Sequence, residues 1–476
     1  MARAALGIVR LARGDSDLAL AERLFETLRN RILEGIWTFG AKLPGTRVIA
    51  RDARVSRWTA VVAIDMLLAE GMVEARKRSG TYVAWRGQAR AGEKAANPPA
   101  APRPNIPFAI AVPALDLFPI NVWRRLQGRR WRQMPAEALD DGEPEGWPAL
   151  RQAIAEYALT VRGIQCSAEQ IIVLPSVEAG GRLVAKALCR PGNLAWTEDP
   201  GSLMARAIAR SANMEPIPVP LDAEGIDVDH GCLLAPKATL AIVTPSVQFP
   251  TGIRMSDKRR ARLLKWADAA NSWIFEVDHA SEFPFGDSNG LPLASLPGAK
   301  RVIYFDTFGK LLFPALRVAF LIVPQAALSQ FREAARDFDR PPGVPNQIIL
   351  ADFLTSGQFA KHLRRCRDAY AERRDVMLSA LRDQCAEHLT LPPAQGGLHV
   401  CARLPQGTDD VALVERLREA GLIADALSPY YANPTDDRGL LFGFAAYRPD
   451  LLRTSVGKLA AVLNEGLTSR SRAAAR

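Results

Sequence analysis

The sequence predicts two units of different class: a small winged helix-turn-helix at the N-terminus, and behind it a large α/β domain with a mixed, mostly parallel sheet covered by helices. Three observations predict this. From Gln170 onward, short apolar runs of strand length alternate with helix-length amphipathic segments. Ahead of them, Leu20, Leu24, Leu28 and Ile32 recur every four residues and mark one apolar helix stripe, followed by two shorter helical segments and a hairpin. Between the two patterns, residues 86–107 are rich in Ala, Pro, Arg and Gly, with Pro98, Pro99, Pro102 and Pro104 and no apolar period. The expected boundaries are therefore 16–85 for the small unit, 86–107 for an extended, partly disordered linker and 108–470 for the large domain. Within the large domain, a smaller C-terminal α/β subdomain is expected over about 350–470.

Composition agrees with this division and excludes several classes. A chain of 476 residues is too long for one ordinary domain, and 48% apolar content suffices for a packed core. No run of 18 apolar residues occurs, so no membrane helix is expected, and the first residues do not read as a signal peptide. Six scattered cysteines without C-x-x-C spacing argue against a zinc site or a disulfide framework, so no metal is expected and a reducing cytoplasm is. The net charge is +10, and residues 1–85 hold 14 Lys and Arg against 9 Asp and Glu. Such a basic balance favours a polyanion partner.

In order, the first helix runs from about Leu18 to Gly35, and Leu43-Pro-Gly-Thr46 leads into a second with Thr46 as a plausible N-cap. Ser56 caps a third, Arg57 to Glu70, whose Val61, Ile64 and Leu68 are expected to face the core. Gly71 ends it, and Met72 to Val83 reads as a two-stranded wing turning near Gly80 and Thr81. In helix-turn-helix geometry the recognition helix enters the major groove by its N-terminal end. The residues placed to meet DNA are therefore Ser56, Arg57, Trp58 and Thr59, with Arg47 on the preceding helix and Arg76, Lys77 and Arg78 on the wing.

In the large domain the strand-like runs include Ile171–Leu174, Leu194–Trp196, Ile217–Leu221, Leu240–Val243, Trp273–Val277, Val302–Phe305 and Val318–Val323. A long helix is expected over Leu350–Leu381, then strands at Leu398–Ala402 and Leu440–Phe444. Ligands of such sheets sit at the strand C-terminal ends. One such end carries Lys310 between two buried runs, with Arg317 seven residues on. A lysine between buried strands tends to lose its proton, and the neutral amine adds to an aldehyde as a Schiff base. An arginine fork suits a phosphate. Lysine and arginine together are what pyridoxal 5'-phosphate requires, although a solvated lysine in a basic loop remains open on spacing alone.

Six blocks widen the pattern: Val112–Pro119, Gly142–Arg151, Glu198–Gly201, Thr244–Gly252, the Lys310 segment and Gly396–Val400. In this order, behind Leu43-Pro-Gly-Thr-Arg47 and Ser56-Arg-Trp-Thr-Ala-Val61, the chain resembles the MocR subfamily of GntR-type transcriptional regulators. In that family a winged helix is fused to a fold-type-I aminotransferase-like domain. The resemblance implies an operator on double-stranded DNA, a homodimer, pyridoxal phosphate and a small-molecule effector. It carries the Schiff-base role to Lys310, the phosphate to Arg317 and Ser176, and the ring contacts to Asp278 and His279. The supporting residues depart from the family pattern. Val277 stands where the family has the aspartate that pairs the ring nitrogen, which leaves Asp278 as a shifted substitute. His279 replaces the tyrosine on the ring oxygen, and either donates there or is a satisfied buried imidazole. Glu178 enters the phosphate loop, Ser202 replaces a stacking tyrosine and Val247 a histidine. Arg438 is the candidate carboxylate-binding arginine. The implied function is a transcription regulator that senses pyridoxal phosphate or a related effector. An active aminotransferase with a DNA-binding arm, or a regulator that no longer binds the cofactor, are the alternatives.

Overall fold

The computed structural model describes residues 17–76, 79–85, 106–278, 280–285, 291–392 and 396–474. The chain divides into two compact units, within residues 1–104 and 105–476. The linker expected at 86–107 lies outside the described residues except for its last two.

The small unit consists of α1 (Asp17–Leu33), α2 (Thr46–Ala53), α3 (Arg57–Ala69) and the antiparallel wing strands β1 (Val73–Arg76) and β2 (Gly80–Val83). The four-residue period of α1 puts Leu24, Leu28 and Ile32 in one buried core with Ile49, Leu67 and Val83. Two expectations are corrected. Gly45, not Thr46, is the N-cap of α2, with no side-chain cap bond. In α3, Val61 and Leu68 are only half-buried, while Ala60, Ala63, Ile64 and Leu67 form the core face. Small alanines let α3 lie close to its neighbours, so packing selects the face one position away from the larger side chains.

The large unit is built on an eight-stranded sheet of β3 (Ile171–Leu174), β4 (Leu194–Asp199), β5 (Glu215–Asp222), β6 (Gly225–Ile226), β7 (Leu240–Val243), β8 (Trp273–Val277), β9 (Val302–Thr307) and β10 (Ala319–Ile322). Their spatial order is β3-β10-β9-β8-β7-β4-β5-β6. The five strands from β9 to β5 pair parallel, whereas β10 runs antiparallel between β3 and β9. Both faces are covered: Ile171 and Val173 join one apolar cluster, Ile172 and Leu174 another. That period-two split of a wholly apolar strand is what burial on two sides requires.

The covering helices are α4 (Ile120–Trp131), α5 (Pro148–Arg162), α6 (Val177–Leu188), α7 (Leu203–Ser211), α8 (Val228–Leu234), α9 (Asp257–Ala269), the single turn α10 (Phe308–Leu311) and α11 (Leu328–Arg336). The expected long helix over 350–381 is two helices, α12 (Val344–Thr355) and α13 (Gln358–Cys385). Gly357, at φ 72, breaks them, because the left-handed region cannot continue a right-handed helix. The C-terminal part adds a three-stranded antiparallel sheet of β11 (His399–Arg403), β12 (Asp425–Ala426) and β13 (Gly439–Gly443), with α14 (Asp410–Glu419) and α15 (Pro449–Ala474).

Candidate functional site

β9 brings the chain through the middle of the sheet to Thr307, whose Oγ1 accepts the Gly309 N–H at 3.1 Å and so starts α10. Lys310 lies in that turn, and the chain returns at once as β10 alongside β9. The amine opens on a cavity of about 220 Å³ lined among others by Val177, Ser202, Val277, Asp278, Thr307 and His399. Burial drives the Lys310 amine down to about 8, against the opposing pull of Asp306, Asp278, Glu282 and Glu178. An amine near 8 has a usable neutral fraction at neutral pH, which is the condition for attack on a carbonyl.

Beneath the cavity lies a buried charge network that the sequence did not disclose. Arg162, the last residue of α5, donates through Nη2 to Asp278 Oδ2 at 2.6 Å and through Nε to the Tyr304 hydroxyl at 3.3 Å, and also bonds Ser281. Tyr304 in turn donates to Asp278 at 2.9 Å, and Ser281 donates its N–H at 3.0 Å and its hydroxyl at 2.7 Å. Burial alone would raise the Asp278 carboxyl, but Arg162 and these donors outweigh it and hold it below the usual range. Asp306 is driven the other way by burial and by the nearby Glu282 and Asp278 charges. Asp278 thus lines the cavity as a carboxylate already engaged from below. Val277, buried beside it, offers no acceptor.

The other expected cofactor residues fall in different places. Ser176 caps α6, its Oγ accepting the Ala179 N–H at 3.3 Å, and Val177 rather than Ser176 reaches the cavity wall. Glu178 is exposed. Arg317 is exposed, at φ 51, and is not part of the cavity lining. His279 lies outside the described residues. Val247 packs against Gly396 and Gly397 instead of forming a polar contact. Arg438 is tied into its own loop through the Thr435 carbonyl and stands 4.0 Å from Asp410. Two polar lining residues had no role assigned from sequence, although both stand in recognised blocks: Thr307 and His399. His399 donates Nε2–H to the Pro250 carbonyl at 3.0 Å, and burial, reinforced by the Lys310 charge, lowers it to about 4. It is a neutral imidazole in the cavity wall.

In the small unit, Ser56 Oγ accepts the Thr59 N–H at 3.0 Å and bonds the Thr59 hydroxyl at 2.7 Å. The cap fixes the first turn of α3 so that Arg57 and Trp58 project outward, Trp58 being 55% exposed. Thr59 is a correction: it is fully buried as the partner of the cap, which removes it from the surface a duplex can reach. Arg47 is exposed, and so are Arg51 and Arg54, which continue the same spacing toward Arg57. On the wing, Arg76 lies 4.4 Å over the Tyr82 ring and pairs with Glu74 at 2.7 Å. Gly80, at φ 120, makes the turn where a Cβ would meet the Lys42 side chain at 2.9 Å. The half-buried Thr81 accepts the Leu43 N–H at 2.8 Å through its carbonyl and pins the wing to the turn before α2. Lys77 and Arg78 lie outside the described residues.

Comparison with known proteins agrees with both halves. Residues 20–83 match the model of the gntR family of bacterial regulatory proteins, and residues 120–458 that of aminotransferase class I and II. The chain is 33% identical over 467 residues to the "Probable rhizopine catabolism regulatory protein MocR" of Rhizobium meliloti, covering 94% of each. It is 29% identical to the HTH-type pyridoxine biosynthesis transcriptional regulator PdxR of Corynebacterium glutamicum, covering 94% of this chain and 97% of that one. Among solved structures, the alpha-aminoadipate aminotransferase LysN of Thermus thermophilus, complexed with N-(5'-phosphopyridoxyl)-L-leucine, superposes with a TM-score of 0.70. That match is at 27% identity and covers 76% of this chain and 93% of LysN. With a winged helix in front, an aminotransferase sheet behind and a relative of this closeness over nearly the full length, the chain belongs to the MocR family of GntR-type regulators.

Proposed function

We propose that this protein is a transcription regulator that binds an operator through its winged helix and senses pyridoxal phosphate, or a related carbonyl effector, through Lys310. The observation that carries the sensing half is the Lys310 amine, lowered to about 8 and opening on a cavity at the strand ends. Pyridoxal phosphate supplies an aldehyde, and Lys310 is the residue that would hold it, with the Thr307 and Ser202 side chains on the same wall. The chemistry of the donor set fits capture better than turnover. Asp278 is already engaged by Arg162, and Val277 adds no charge to the cavity, so among the described lining residues the only carboxylate that could meet a protonated ring nitrogen is one whose charge is partly met by an arginine. A phosphate role for Arg317 stays part of the proposal, as do a cytoplasmic location and a homodimer that presents two winged helices to paired half-sites. Among the described residues no helix is long and apolar enough to cross a membrane.

A gel-shift assay on DNA upstream of the protein's own gene, with and without pyridoxal phosphate, tests this. Retardation that survives excess unrelated DNA is expected in the wild type and not in Arg57→Ala. A response to the cofactor is expected in the wild type and not in Lys310→Ala. No retardation of any upstream fragment at low salt would overturn the DNA half. Equilibrium dialysis showing no retained cofactor would overturn the sensing half and leave the first intact.

A further inference from the structure

Outside both sites, α4 carries a concentrated run of arginine. Residues 108–476 are nearly neutral, with 43 Lys and Arg against 41 Asp and Glu, yet residues 124–132 contain five arginines and no acid. One side of the helix is anchored: Trp123 is buried among Phe118, Phe313 and Phe353 at ring separations of 5.6–5.7 Å. Asp352 on α12 engages Arg129 at 3.2 Å and also Arg130. That accounts for two arginines. Arg124, Arg125 and Arg132 are exposed and have no hydrogen bond or ion pair among the described residues.

Their spacing is the second observation. Arg125, Arg129 and Arg132 stand at i, i+4 and i+7, and Arg124 and Arg132 flank Gly128 at i±4, so all four share one side of the helix. Gly128 leaves that side low, and the Arg132 Nη1 stands 3.8 Å from where a Cβ at 128 would be. From 124 to 132 the helix advances about 12 Å, a length over which duplex DNA presents about seven phosphate charges. Arginine forks suit phosphate oxygens, and these are all arginines without a lysine. A second copy docked two-fold on the same face would set arginine against arginine, since such an interface meets itself.

Resting on the regulator reading above, we propose that the arginine face of α4 is a second, sequence-independent contact for the phosphates of duplex DNA. The winged helix reads the site; α4 adds affinity without adding discrimination.

The test uses full-length protein carrying R124Q, R125Q and R132Q together, all at exposed positions. Binding is measured across salt concentrations to the footprinted upstream site and to an unrelated duplex of equal length. Each lost phosphate contact lowers the slope of log K against log salt by about 0.9, so a fall of up to about 2.7 per bound protomer is expected. The fall should be equal on the two duplexes, with their affinity ratio kept. A slope equal to wild type overturns the proposal. So does a changed oligomeric state by light scattering, which would assign the face to contacts between copies. R125E alone is the second variant, expected to weaken both duplexes further than R125Q; equal affinities for R125E and R125Q also overturn the proposal. The regulator reading is judged separately by Arg57→Ala, which should collapse the ratio between the two duplexes while leaving the salt slope on unrelated DNA nearly intact.

Discussion

Replacing Lys310 by methionine isolates the energetic consequence of placing an amine under this sheet. In the folded protein the amine titrates near 8, against an ordinary 10.5. Between those values the unfolded chain holds a proton that the folded chain has released, so stability rises with pH through that window. Below 8 both states are protonated and the full penalty applies, at most about 3 kcal/mol. Methionine keeps the stem and removes the charge. Lys310→Met is therefore expected to be more stable than wild type at pH 7 by up to about 3 kcal/mol, and the difference should shrink below about 1 kcal/mol by pH 10. Urea denaturation followed by fluorescence at pH 7, 8, 9 and 10 measures it; Trp196 and Trp266, stacked at 3.8 Å, report on the large unit. The same displacement leaves about one amine in eleven neutral at pH 7, against about one in three thousand for an ordinary lysine. Carbonyl labelling of the wild type should then inflect near pH 8. A stability difference independent of pH would refute the reasoning, since it would mean that the amine is not desolvated.

Three further outcomes follow from the packing. Ser56→Ala removes the cap that accepts the Thr59 N–H, and should lower the stability of the small unit by about 1 kcal/mol in thermal melts, with weaker DNA retention. Gly181→Ala places a Cβ 2.3 Å from Ile208 Cδ1 between α6 and α7, and should destabilise the large unit by about 1–3 kcal/mol in urea. Glu198 is buried, accepts the Thr244 N–H and hydroxyl and is raised by burial to about 7. A raised carboxyl is protonated in the folded state before the unfolded one, so its contribution falls as pH climbs from about 4.5 to about 7. Glu198→Gln should therefore gain on wild type across that window and hold the gain above it, read from paired melting curves.

Most strands of the large domain were legible because their short, β-branched apolar runs are buried on both faces and recur between helix-length segments, as Ile171–Leu174 does. Lys310 was legible less from spacing, which left a solvated lysine open, than from the resemblance of its segment to the cofactor-lysine segment of the family. The network beneath it was not. Arg162 stands 116 residues before Asp278 and looks, in sequence, like an ordinary basic residue in the last turn of a helix. Only the return of α5 over the sheet makes it the counter-charge of that carboxylate. Thr59 failed for a related reason: position in a turn is readable, but which side of the turn faces inward depends on three helices at once.

The turn that bears Lys310 joins two strands that are immediate antiparallel neighbours, and one of them is wedged against β3, which feeds directly into α6. Removing a segment so placed would part β10 from β9 and open the sheet beside β3. Val277 ends a strand and is buried in the core, whereas Ser202 and Glu178 stand at the starts of helices. The pairing of those strands fixes the backbone of the turn but not the amine, which burial makes costly at neutral pH, so packing alone gives no reason for a lysine there. The presence of Lys310 is therefore accounted for by what its amine can bind rather than by what it contributes to packing.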